Sequence, residues 1–436
     1  MIDPKLFRTD PAQVKRGVEA KGVEVDVEAL VALEETRRDC LYQVEQLRAR
    51  KKEISKQIGA AIAQAKQEGR DLTPEQARGQ FQHEQDALDA EIADLDAKLA
   101  DTERAFEQGL LYVPNLPADD TPPGLTEAEN VEMLAWREPG RFLFEPKPHW
   151  ELGANLGIID FEAAVRMSGS QFVLTRGLGA LMERALIGFM LDLHTRRHGY
   201  TEINPPFMAL DRCLVGSGQL PKFEEDLYRL REGPYLIPTA EVPLTSLHLG
   251  EILDGDRLPL CYTAYTPCFR SEAGSAGKET RGMIRLHQFH KVELMKFCKP
   301  EEEHAELMKL VDDAEAVLKA LNLPFRRMRL CAGEMSFSAA EAYDLEVWMP
   351  GMGKYVEISS CSRFTDYQAR RLNTRYREGQ GDKPKLVSTM NGSGLACGRT
   401  FAAVLENYQQ EDGSVIIPEA LRPYMGGAGH ILPPGV

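Results

Sequence analysis

Apolar residues recur at alternating spacings of three and four over residues 28–66, a pattern that predicts one long helix with a continuous apolar seam. The seam positions, two of them basic, are Leu30, Leu33, Arg37, Cys40, Val44, Leu47, Lys51, Ile54, Ile58, Ala61 and Ala65. A second seam consists of Gln85, Leu88, Ile92, Leu95, Leu99, Thr102 and Phe106. Between the two, Gly69 predicts a helix end and Thr73-Pro74 a helix start. We therefore expect an antiparallel coiled-coil arm over residues 28–107, inside an N-terminal domain of residues 1–111. Its outgoing helix would be on the order of 60 Å long and project into solvent.

A change in composition separates the arm from the rest of the chain. Residues 112–130 contain four prolines and no apolar periodicity, and we interpret them as a linker to a second domain at 131–436. In that domain, residues 177–200 have the apolar stripe of a helix and run into a predicted strand at 200–208. Two prolines exclude this strand from the centre of a sheet, so it should lie at an edge, either unpartnered or covered by another subunit.

Residues 262–297 are predicted to form a strand, a loop rich in glycine and charge, and a second strand. Because side chains alternate along a strand, Phe289, Lys291, Glu293 and Met295 share one face, with Phe289 and Glu293 about 13 Å apart. The loop and its flanks contain four cations suited to a polyphosphate, which are Arg270, Lys278, Arg281 and Arg285. A solvated hairpin tip is the other interpretation, and the hairpin alone does not decide between them.

Two shorter segments carry candidate polar residues. In residues 235–248, Thr239 and Glu241 occupy a polar break that predicts a turn or a helix start. Residues 343–362 read as strand, turn and strand, with Glu357 in an apolar run. A carboxylate in such a position is paired, exposed or bound to a metal.

Residues 390–408 are interpreted as a glycine-rich turn that opens a helix, with Arg399 in the first helical turns. A helix start of this kind offers free N–H groups to an anion. The sequence has neither a P-loop motif nor a strand-linked G-x-G-x-x-G motif. An ATP site in this chain would therefore lie on an antiparallel sheet.

Composition and charge limit the class of protein. The 436 residues are 43% hydrophobic and 27% charged, which is an ordinary balance for a soluble protein. Without an apolar run of about 18 residues or an apolar signal core, we expect a cytoplasmic protein with no membrane contact. Eight cysteines without a C-x-x-C pair predict neither zinc nor disulfides. The net charge of -15 excludes indiscriminate nucleic-acid binding, so any such contact is local.

The two helices of the arm differ in charge. Residues 82–107 contain nine acidic residues against Lys98 and Arg104. The outgoing helix and the tip instead contain the basic residues Arg48, Arg50, Lys51, Lys52, Lys56, Lys66, Arg70 and Arg78. We favour an arm that contacts an extended anionic partner; a coiled coil whose charges only confer solubility is the alternative.

Taken together, these segments resemble bacterial-type seryl-tRNA synthetases, a family of class II aminoacyl-tRNA synthetases, nearly end to end. The helix ending at TEINPPF resembles the first class motif, FRSE followed by HQFHKVE the second, and GSGLACGRTFAAVLENYQ the third. The PTAE stretch and the arm narrow the resemblance to the serine family. The resemblance implies an α+β fold in which a catalytic domain, an antiparallel β-sheet flanked by helices, follows the arm. It also implies a homodimer built through the first motif.

The resemblance implies roles for individual residues. Arg270 would contact the ATP α-phosphate and the substrate carboxylate, and Arg285 and Arg399 the β- and γ-phosphates. Other residues at the ATP would be Ser271, Glu272, Phe289, Glu357, Ile358, Ser359 and Ser360, with Glu272 and Phe289 at the adenine. Of these, Glu357 and Ser360 would also hold Mg²⁺, and Arg270, Glu357 and Arg399 would be catalytic. Glu357 and Ser360 would face opposite sides of a regular strand, which predicts a bulge or a strand end between them.

The serine site is implied at Thr239, Ala240, Glu241, Arg270, Glu293 and Ser393. In it, Glu293 would bind the ammonium group and Ser393 would lie near the hydroxyl. The arm of this family lies along the long variable stem of the tRNA, and the candidate contacts are Arg48, Lys51, Lys52 and Lys56.

The implied activity is that of a serine–tRNA ligase. ATP would activate L-serine to seryl-adenylate, and the seryl group would pass to the 3′ end of serine tRNA, with selenocysteine tRNA as a further candidate. This chemistry needs no protein nucleophile, so we interpret His287 and His290 as structural. Two alternatives are an amino-acid:carrier-protein ligase, which should lack the arm, and a catalytically inactive coiled-coil tRNA-binding paralogue.

Overall fold

The structure is a computed structural model that describes residues 1–69, 73–273 and 281–435. The chain divides into two compact units. The helical unit comprises Asp3–Arg16 and Glu24–Val113, and the sheet unit comprises Met1–Ile2, Gly17–Val23 and the chain from Pro114 onward. The predicted boundaries at 111 and 130 remain a prediction.

Two long helices form most of the helical unit. The helices of the first 113 residues are α1 Leu6–Thr9, α2 Pro11–Ala20, α3 Val27–Gln67, α4 Pro74–Gly79 and α5 Gln82–Leu110. Asp26 begins α3 by accepting a hydrogen bond from the Ala29 N–H, and Thr73 begins α4 through a capping box with Gln76. Arg48 pairs with Asp96 and Arg50 with Glu84, so α3 and α5 run in opposite directions. The two predicted helices are confirmed, and the buried seam positions include Leu30, Cys40, Val44, Ile54, Ile58, Ala65, Leu88, Thr102 and Phe106.

The sheet unit contains eight helices and fifteen strands in the described residues. Its helices are α6 His149–Asn155, α7 Phe161–Ser168, α8 Leu178–Arg197, α9 Asp211–Ser217, α10 Glu241–Thr245, α11 Glu303–Ala320, α12 Tyr367–Leu372 and α13 Cys397–Tyr408. Its longer strands are β1 Val131–Trp136, β6 Leu260–Phe269, β7 Gln288–Cys298, β8 Phe325–Arg329, β9 Glu341–Met349, β10 Lys354–Thr365 and β13 Ser388–Ala396. Its short strands are β2 Thr201–Glu202, β3 Met208–Ala209, β4 Tyr235–Leu236, β5 Ile252–Asp254, β11 Arg375–Arg377, β12 Lys385–Leu386, β14 Val415–Ile416 and β15 His430–Ile431. Among the described helices, none is both long and apolar enough to cross a membrane.

An eight-stranded sheet forms the centre of this unit, in the order β1-β8-β9-β10-β13-β7-β6-β2. Its neighbouring strands are antiparallel except for β2 and β6. Helices α8, α11 and α13 share one apolar core with the sheet, to which β7 contributes Val292 and Leu294. The alternate β7 residues Phe289 and Lys291 line a cavity instead. Side-chain alternation along β7 therefore separates the helix-covered core from the candidate site.

The predicted strand at 200–208 is much shorter in the structure. Only Thr201–Glu202 joins the large sheet, as its edge strand β2, and Met208–Ala209 pairs with β4 in a separate small sheet. Pro205 and Pro206 lie between the two, because proline has no N–H to donate to a ladder. The edge position was predicted correctly and the length was wrong.

The predicted glycine-rich turn at 390–396 is also wrong, because these residues belong to the inner strand β13. Neither Gly392 nor Gly394 has a positive φ, so the backbone does not turn there. A Cβ atom on Gly392 would lie 2.4 Å from Cδ2 of Leu310, and one on Gly394 would lie 2.7 Å from Nε2 of His194. The glycines permit close packing of the strand against α11 and α8.

Candidate active site

The candidate site is a cavity of about 320 Å³ in the sheet unit, which we call the main cavity. Strands β7, β10 and β13, the start of α13 and the segments around residues 239–241, 270–272 and 283–286 contribute its lining. Each candidate segment of the large domain contributes residues to this cavity, although the segments are far apart in the sequence. Those that line it are Thr239, Glu241, Arg270, Glu272, Arg285, Phe289, Glu357, Ile358, Ser360, Ser393 and Arg399.

The aromatic ring of Phe289 and the guanidinium of Arg270 form one part of the lining. The Arg270 Cζ lies 5.1 Å from the centre of the Phe289 ring, and its Nε donates to the Pro238 carbonyl at 3.3 Å. Arg285 forms an ion pair with Glu272, a residue with a positive φ of 53°. A ring with a cation on its face and a second arginine beside it can hold a purine base and its phosphates.

Arg399 connects two other walls of the main cavity. Its Nε donates to the Ile284 carbonyl at 3.1 Å, and its Nη1 donates to the Glu357 carbonyl at 2.7 Å. The same Nη1 lies 3.4 Å from Oε2 of Glu357, whose side chain is 49% exposed to the cavity. Partial removal from bulk water inside the cavity would raise the pKa of Glu357, but Arg399, and after it Arg270, outweigh this effect and lower that pKa below its ordinary value. Glu357 is therefore held as a carboxylate facing the cavity.

The predicted irregularity between Glu357 and Ser360 is confirmed. Glu357 pairs with Glu346 on β9, whereas Ser359 pairs with Leu345, so one extra residue of β10 forms a bulge. The bulge brings Glu357 and Ser360 to the same cavity.

A fully buried carboxylate, Glu293, lies directly behind the part of the main cavity formed by β7 and residues 239–241. It interacts with Lys291 Nζ at 2.5 Å, and it accepts hydrogen bonds from Thr239 Oγ1 at 3.0 Å and from Asn391 Nδ2 at 3.1 Å. Glu293 itself is not among the lining residues. The structure thus places three partners around the carboxylate that the sequence assigned to an ammonium group.

Glu241 is the second carboxylate in this part of the site, and it does line the cavity. Burial, and then the neighbouring charge of Glu293, raise the pKa of Glu241 from 4.5 to about 7. The Gln368 amide opposes this shift by donating to Oε1 of Glu241 at 2.6 Å. A positively charged ligand group would favour the ionised form of Glu241 further.

Three other predicted site residues point elsewhere. Ala240 is buried at the start of α10, Ser271 donates its hydroxyl to the Glu225 carbonyl, and Ser359 donates its hydroxyl to the Ser393 carbonyl at 2.7 Å. None of the three lines the main cavity. Lys278 of the cationic loop, like Arg70 of the arm, lies outside the described residues.

The two histidines that were interpreted as structural do not line the main cavity. His287 Nδ1 lies 3.1 Å from the Arg270 carbonyl, and His290 Nδ1 lies 2.8 Å from Oε1 of Glu183. His287 therefore contacts the backbone, and His290 contacts a side chain of helix α8.

Sequence reasoning missed several residues of the site, among them Lys291, Asn391, Gln368 and Asp344. Lys291 and Asn391 line the main cavity, Gln368 supports Glu241, and Asp344 is a partly buried partner of Ser360. Burial, and then the charge of Glu357, raise the pKa of Asp344 well above its ordinary value. Lys291 was detectable because it shares a strand face with Phe289. Asn391 was not, because its segment was interpreted as a turn.

The basic residues of the arm are partly paired with the acidic helix α5. Arg48 Nη2 lies 2.9 Å from Asp96, Lys51 pairs with Asp89, and Lys56 lies 3.5 Å from Glu53 on its own helix. These side chains are exposed, and pairs of this kind contribute only about 0–1 kcal/mol. An anionic ligand could therefore displace the carboxylates at small cost.

The sequence matches two described families. The seryl-tRNA synthetase N-terminal domain matches residues 1–117, and the tRNA synthetase class II core domain (G, H, P, S and T) matches residues 222–408. The serine–tRNA ligase of Clostridium tetani is 50% identical over 431 residues, covering 98% of this chain and 99% of that protein. The serine–tRNA ligase of Thermoanaerobacter pseudethanolicus is 51% identical over 433 residues, 98% of each chain.

Solved structures resemble the fold over its full length. Seryl-tRNA synthetase from Pyrococcus horikoshii complexed with ATP has a TM-score of 0.92 at 34% identity, covering 99% of this chain and 100% of that one. Cytoplasmic serine–tRNA ligase from Naegleria fowleri in complex with AMP has a TM-score of 0.88 at 27% identity, covering 100% and 99%. The predicted α+β class II fold is confirmed by these matches. This chain belongs to the seryl-tRNA synthetase family of class II aminoacyl-tRNA synthetases.

Proposed function

We propose that this protein activates L-serine with ATP and transfers the seryl group to serine tRNA. The observation that carries the proposal is the meeting of Arg270, Glu357 and Arg399 with Thr239 and Glu241 in one cavity. Arginines suited to phosphates and carboxylates suited to an ammonium group thus lie side by side. A carrier-protein ligase or an inactive paralogue is less well supported, since both the arm helices and the polar lining are present.

In the first step, a carboxylate oxygen of serine attacks the α-phosphorus of ATP, and pyrophosphate leaves. The requirement is in-line placement of the two substrates and neutralisation of the charge that develops on the phosphoryl oxygens. In our proposal, Arg270 lies between the two substrates, with the adenine on Phe289 and the triphosphate directed toward Arg285 and Arg399. Arg285 would exchange its partner Glu272 for phosphate oxygens.

Serine would bind with its ammonium group toward Glu241 and the buried Glu293, and with its hydroxyl toward Ser393. Thr239 and Asn391 fix the Glu293 carboxylate through the hydrogen bonds described above. A pocket built to bond a hydroxyl disfavours alanine and glycine, because its polar groups are left unpaired when the hydroxyl is absent.

The residues at the β10 bulge fit Mg²⁺, which we propose as the cofactor. Glu357 and Ser360 are hard oxygen donors that face the cavity, and Oδ1 of Asp344 is buried with no hydrogen-bond partner in the described part of the chain. Glu357 and Ser360 would hold the ion, with Asp344 oriented behind Ser360. The bound ion would neutralise phosphate charge. Isothermal titration with Mg²⁺ and ATP tests this, and unchanged binding in Glu357→Gln would contradict it.

The exchange of radioactive pyrophosphate into ATP tests the proposed activity. We expect exchange with serine and at least about 100-fold less with alanine or glycine, since the rejected analogue leaves buried polar groups unpaired. Threonine tests whether the pocket also has a steric limit. Properly folded protein that shows no serine-dependent exchange would contradict the proposed function.

We further propose that the basic side of the arm binds the tRNA. Changing Lys51, Lys52 and Lys56 together to alanine should weaken tRNA binding and reduce the slope of log affinity against log salt by about 3, one for each phosphate contact. Filter binding between low and moderate salt measures the slope. Pyrophosphate exchange needs no tRNA and should be unchanged.

A matched control for the arm variant removes cations from the acidic helix α5. Lys98→Ala with Arg104→Ala should leave both the tRNA affinity and its salt slope near the wild-type values. Equal slopes in the lysine variant and the wild type would contradict a role for this side of the arm.

We propose that the protein is a homodimer. The edge strand β2 is exposed, and the opposite edge strand β1 exposes Val131 at 44%, Met133 at 52% and Leu134 at 38%. Exposed strand edges and apolar residues of this kind are commonly covered in oligomers. Sedimentation at the mass of a single 48.8 kDa chain would contradict the dimer.

A further inference from the structure

Strand β13 contains a bulge of its own, at Gly394, next to the proposed serine site. Ser393 is aligned with Glu293 of β7, but the next aligned pair is Leu395 with Val292. Gly394 therefore has no counterpart along the described length of β7. It is the extra residue of a bulge, and the ladder of backbone hydrogen bonds leaves such a residue unpaired.

The bulge determines which side chains of β13 face the main cavity. Before it, Asn391 and Ser393 line the cavity. After it, Leu395 belongs to the apolar core and Ala396 lines the cavity. In a regular strand, residue 395 would share the face of residues 391 and 393. The bulge thus keeps a leucine out of the serine site, and the position of the Ser393 hydroxyl depends on the backbone at residues 393 and 394.

Two buried side chains bind the carbonyl groups of the bulge. The Ser359 hydroxyl donates to the Ser393 carbonyl at 2.7 Å, and Nε2 of His194 lies 3.2 Å from the Gly394 carbonyl. His194 belongs to helix α8 and is fully buried. A Cβ atom at position 394 would lie 2.7 Å from that nitrogen, so a side chain there would displace the ring. The absence of a side chain at Gly394 and the ring of His194 are therefore matched.

The His194 ring is the donor in this hydrogen bond. Burial is the main cause that lowers its pKa from 6.5 to about 4, so the ring is neutral at pH 7 and has one N–H group. A carbonyl can only accept, which places that hydrogen on Nε2. Nδ1 is then an acceptor, and Nδ1 of His198 lies 3.1 Å from it. The ring is held at both nitrogens, so α8 fixes the bulge from the helix-covered face of the sheet.

We propose that His194 is a positioning residue for the selection of the amino acid. By donating to the Gly394 carbonyl, it fixes the β13 bulge, and the bulge holds the Ser393 hydroxyl where it can bond the hydroxyl of serine. His194 itself does not line the main cavity. This inference rests on the function proposed above and adds a residue, remote from the substrates, on which the discrimination of serine from alanine depends.

The test measures this discrimination in full-length His194→Leu. Pyrophosphate exchange gives kcat/KM for serine and for alanine, and the ratio of the two should fall by roughly 10-fold or more, because a hydroxyl misplaced by about 1 Å no longer pairs with the substrate. The loss should appear in the Michaelis constant for serine, whereas that for ATP should stay within about two-fold of the wild type.

Two polar variants separate the hydrogen bond from the shape of the ring. His194→Gln can place an N–H group near the position of Nε2 and should restore the ratio. His194→Asn is too short to reach the Gly394 carbonyl and should not restore it. The difference between these two variants keeps the test decisive if His194→Leu fails to fold.

Met190→Ala is the matched control for a general loss of stability, because Met190 is also fully buried on α8. It should lower the unfolding temperature and leave the serine-to-alanine ratio unchanged. Ser393→Ala provides a second readout. Since the effect of His194 passes through Ser393, adding His194→Leu to Ser393→Ala should change the ratio by less than about two-fold.

A serine-to-alanine ratio in His194→Leu equal to that of the wild type would overturn the inference. So would equal losses in the use of serine and of ATP, because His194 would then support the domain as a whole. Effects of His194→Leu and Ser393→Ala that multiply in the double variant would also overturn it. Wild-type protein without serine-dependent exchange would instead refute the proposed function, so the two failures are distinguishable.

Discussion

Replacing Arg270 with alanine is expected to lower serine-dependent pyrophosphate exchange by about 100- to 1,000-fold, the usual effect of removing one fixed group that stabilises transition-state charge. Arg270 lines the main cavity and is oriented by the Pro238 carbonyl and the Phe289 ring, so its charge is already in place before the phosphorus is attacked. Steady-state exchange with ATP and serine varied separately measures the effect. Because Arg270 is proposed to contact both substrates, both Michaelis constants should rise while the rate falls.

The chain offers a closely matched control for this variant. The Arg281 Cζ lies 4.9 Å from the centre of the Trp150 ring, much as Arg270 lies over Phe289, but Arg281 does not line the main cavity. Arg281→Ala should therefore leave exchange within about two-fold of the wild type. Arg270→Lys retains the charge without the planar fork and should recover only part of the activity. Exchange that survives in Arg270→Ala would remove this residue from the reaction.

The arm could be predicted from the sequence because its signals are local. A seam at alternating spacings of three and four, a capping residue at Thr73 and a proline at the next position determine where helices run and where they begin. The hairpin of β9 and β10 was predictable for the same reason. Even the bulge after Glu357 followed from the geometry of a strand, once two residues three positions apart were assigned to one ligand.

What the sequence did not predict depends on contacts between distant segments. The glycines of β13 resemble a turn by composition, and only the approach of α11 and α8 explains why a side chain is excluded there. The partners of Glu293 come from residues 239, 291 and 391, so its depth behind the cavity could not be read from β7 alone. The roles assigned to individual site residues remain predictions, whereas their convergence on one cavity is a property of the fold.

Glu241→Gln is expected to have the second large effect, and it acts in opposite directions on stability and on activity. The Glu241 carboxyl has its pKa raised to about 7 by burial and by the charge of Glu293. Between pH 4.5 and 7, the folded protein holds a proton at Glu241 that the unfolded chain has already released. Stability from this group is therefore greatest below pH 4.5 and falls as the pH rises through 7, by on the order of 3 kcal/mol for a carboxyl whose pKa rises from 4.5 to about 7 on folding.

Glutamine does not titrate, so Glu241→Gln should avoid the loss of stability that the wild type undergoes as the pH rises toward neutrality. We expect its unfolding temperature at pH 8 to exceed that of the wild type, and the difference to shrink toward pH 5, where the wild-type carboxyl is protonated. Thermal unfolding at the two pH values measures this. If Glu241→Gln is less stable than the wild type at pH 8, the hydrogen bond from Gln368 to the Glu241 carboxylate stabilises the fold by more than burial of the carboxylate charge destabilises it.

Serine use should change in the other direction. In the wild type, the serine ammonium favours ionised Glu241, so the Michaelis constant for serine should fall as the pH rises from 6 to 8. In Glu241→Gln that constant should rise by about 10- to 100-fold, as expected when a charged partner of a substrate group is removed, and should lose most of this pH dependence. The Michaelis constant for ATP should change little and serves as the internal control. An unchanged pH profile for serine in the variant would assign the ammonium group to Glu293 alone, with Glu241 retained only as a buried carboxyl beside it.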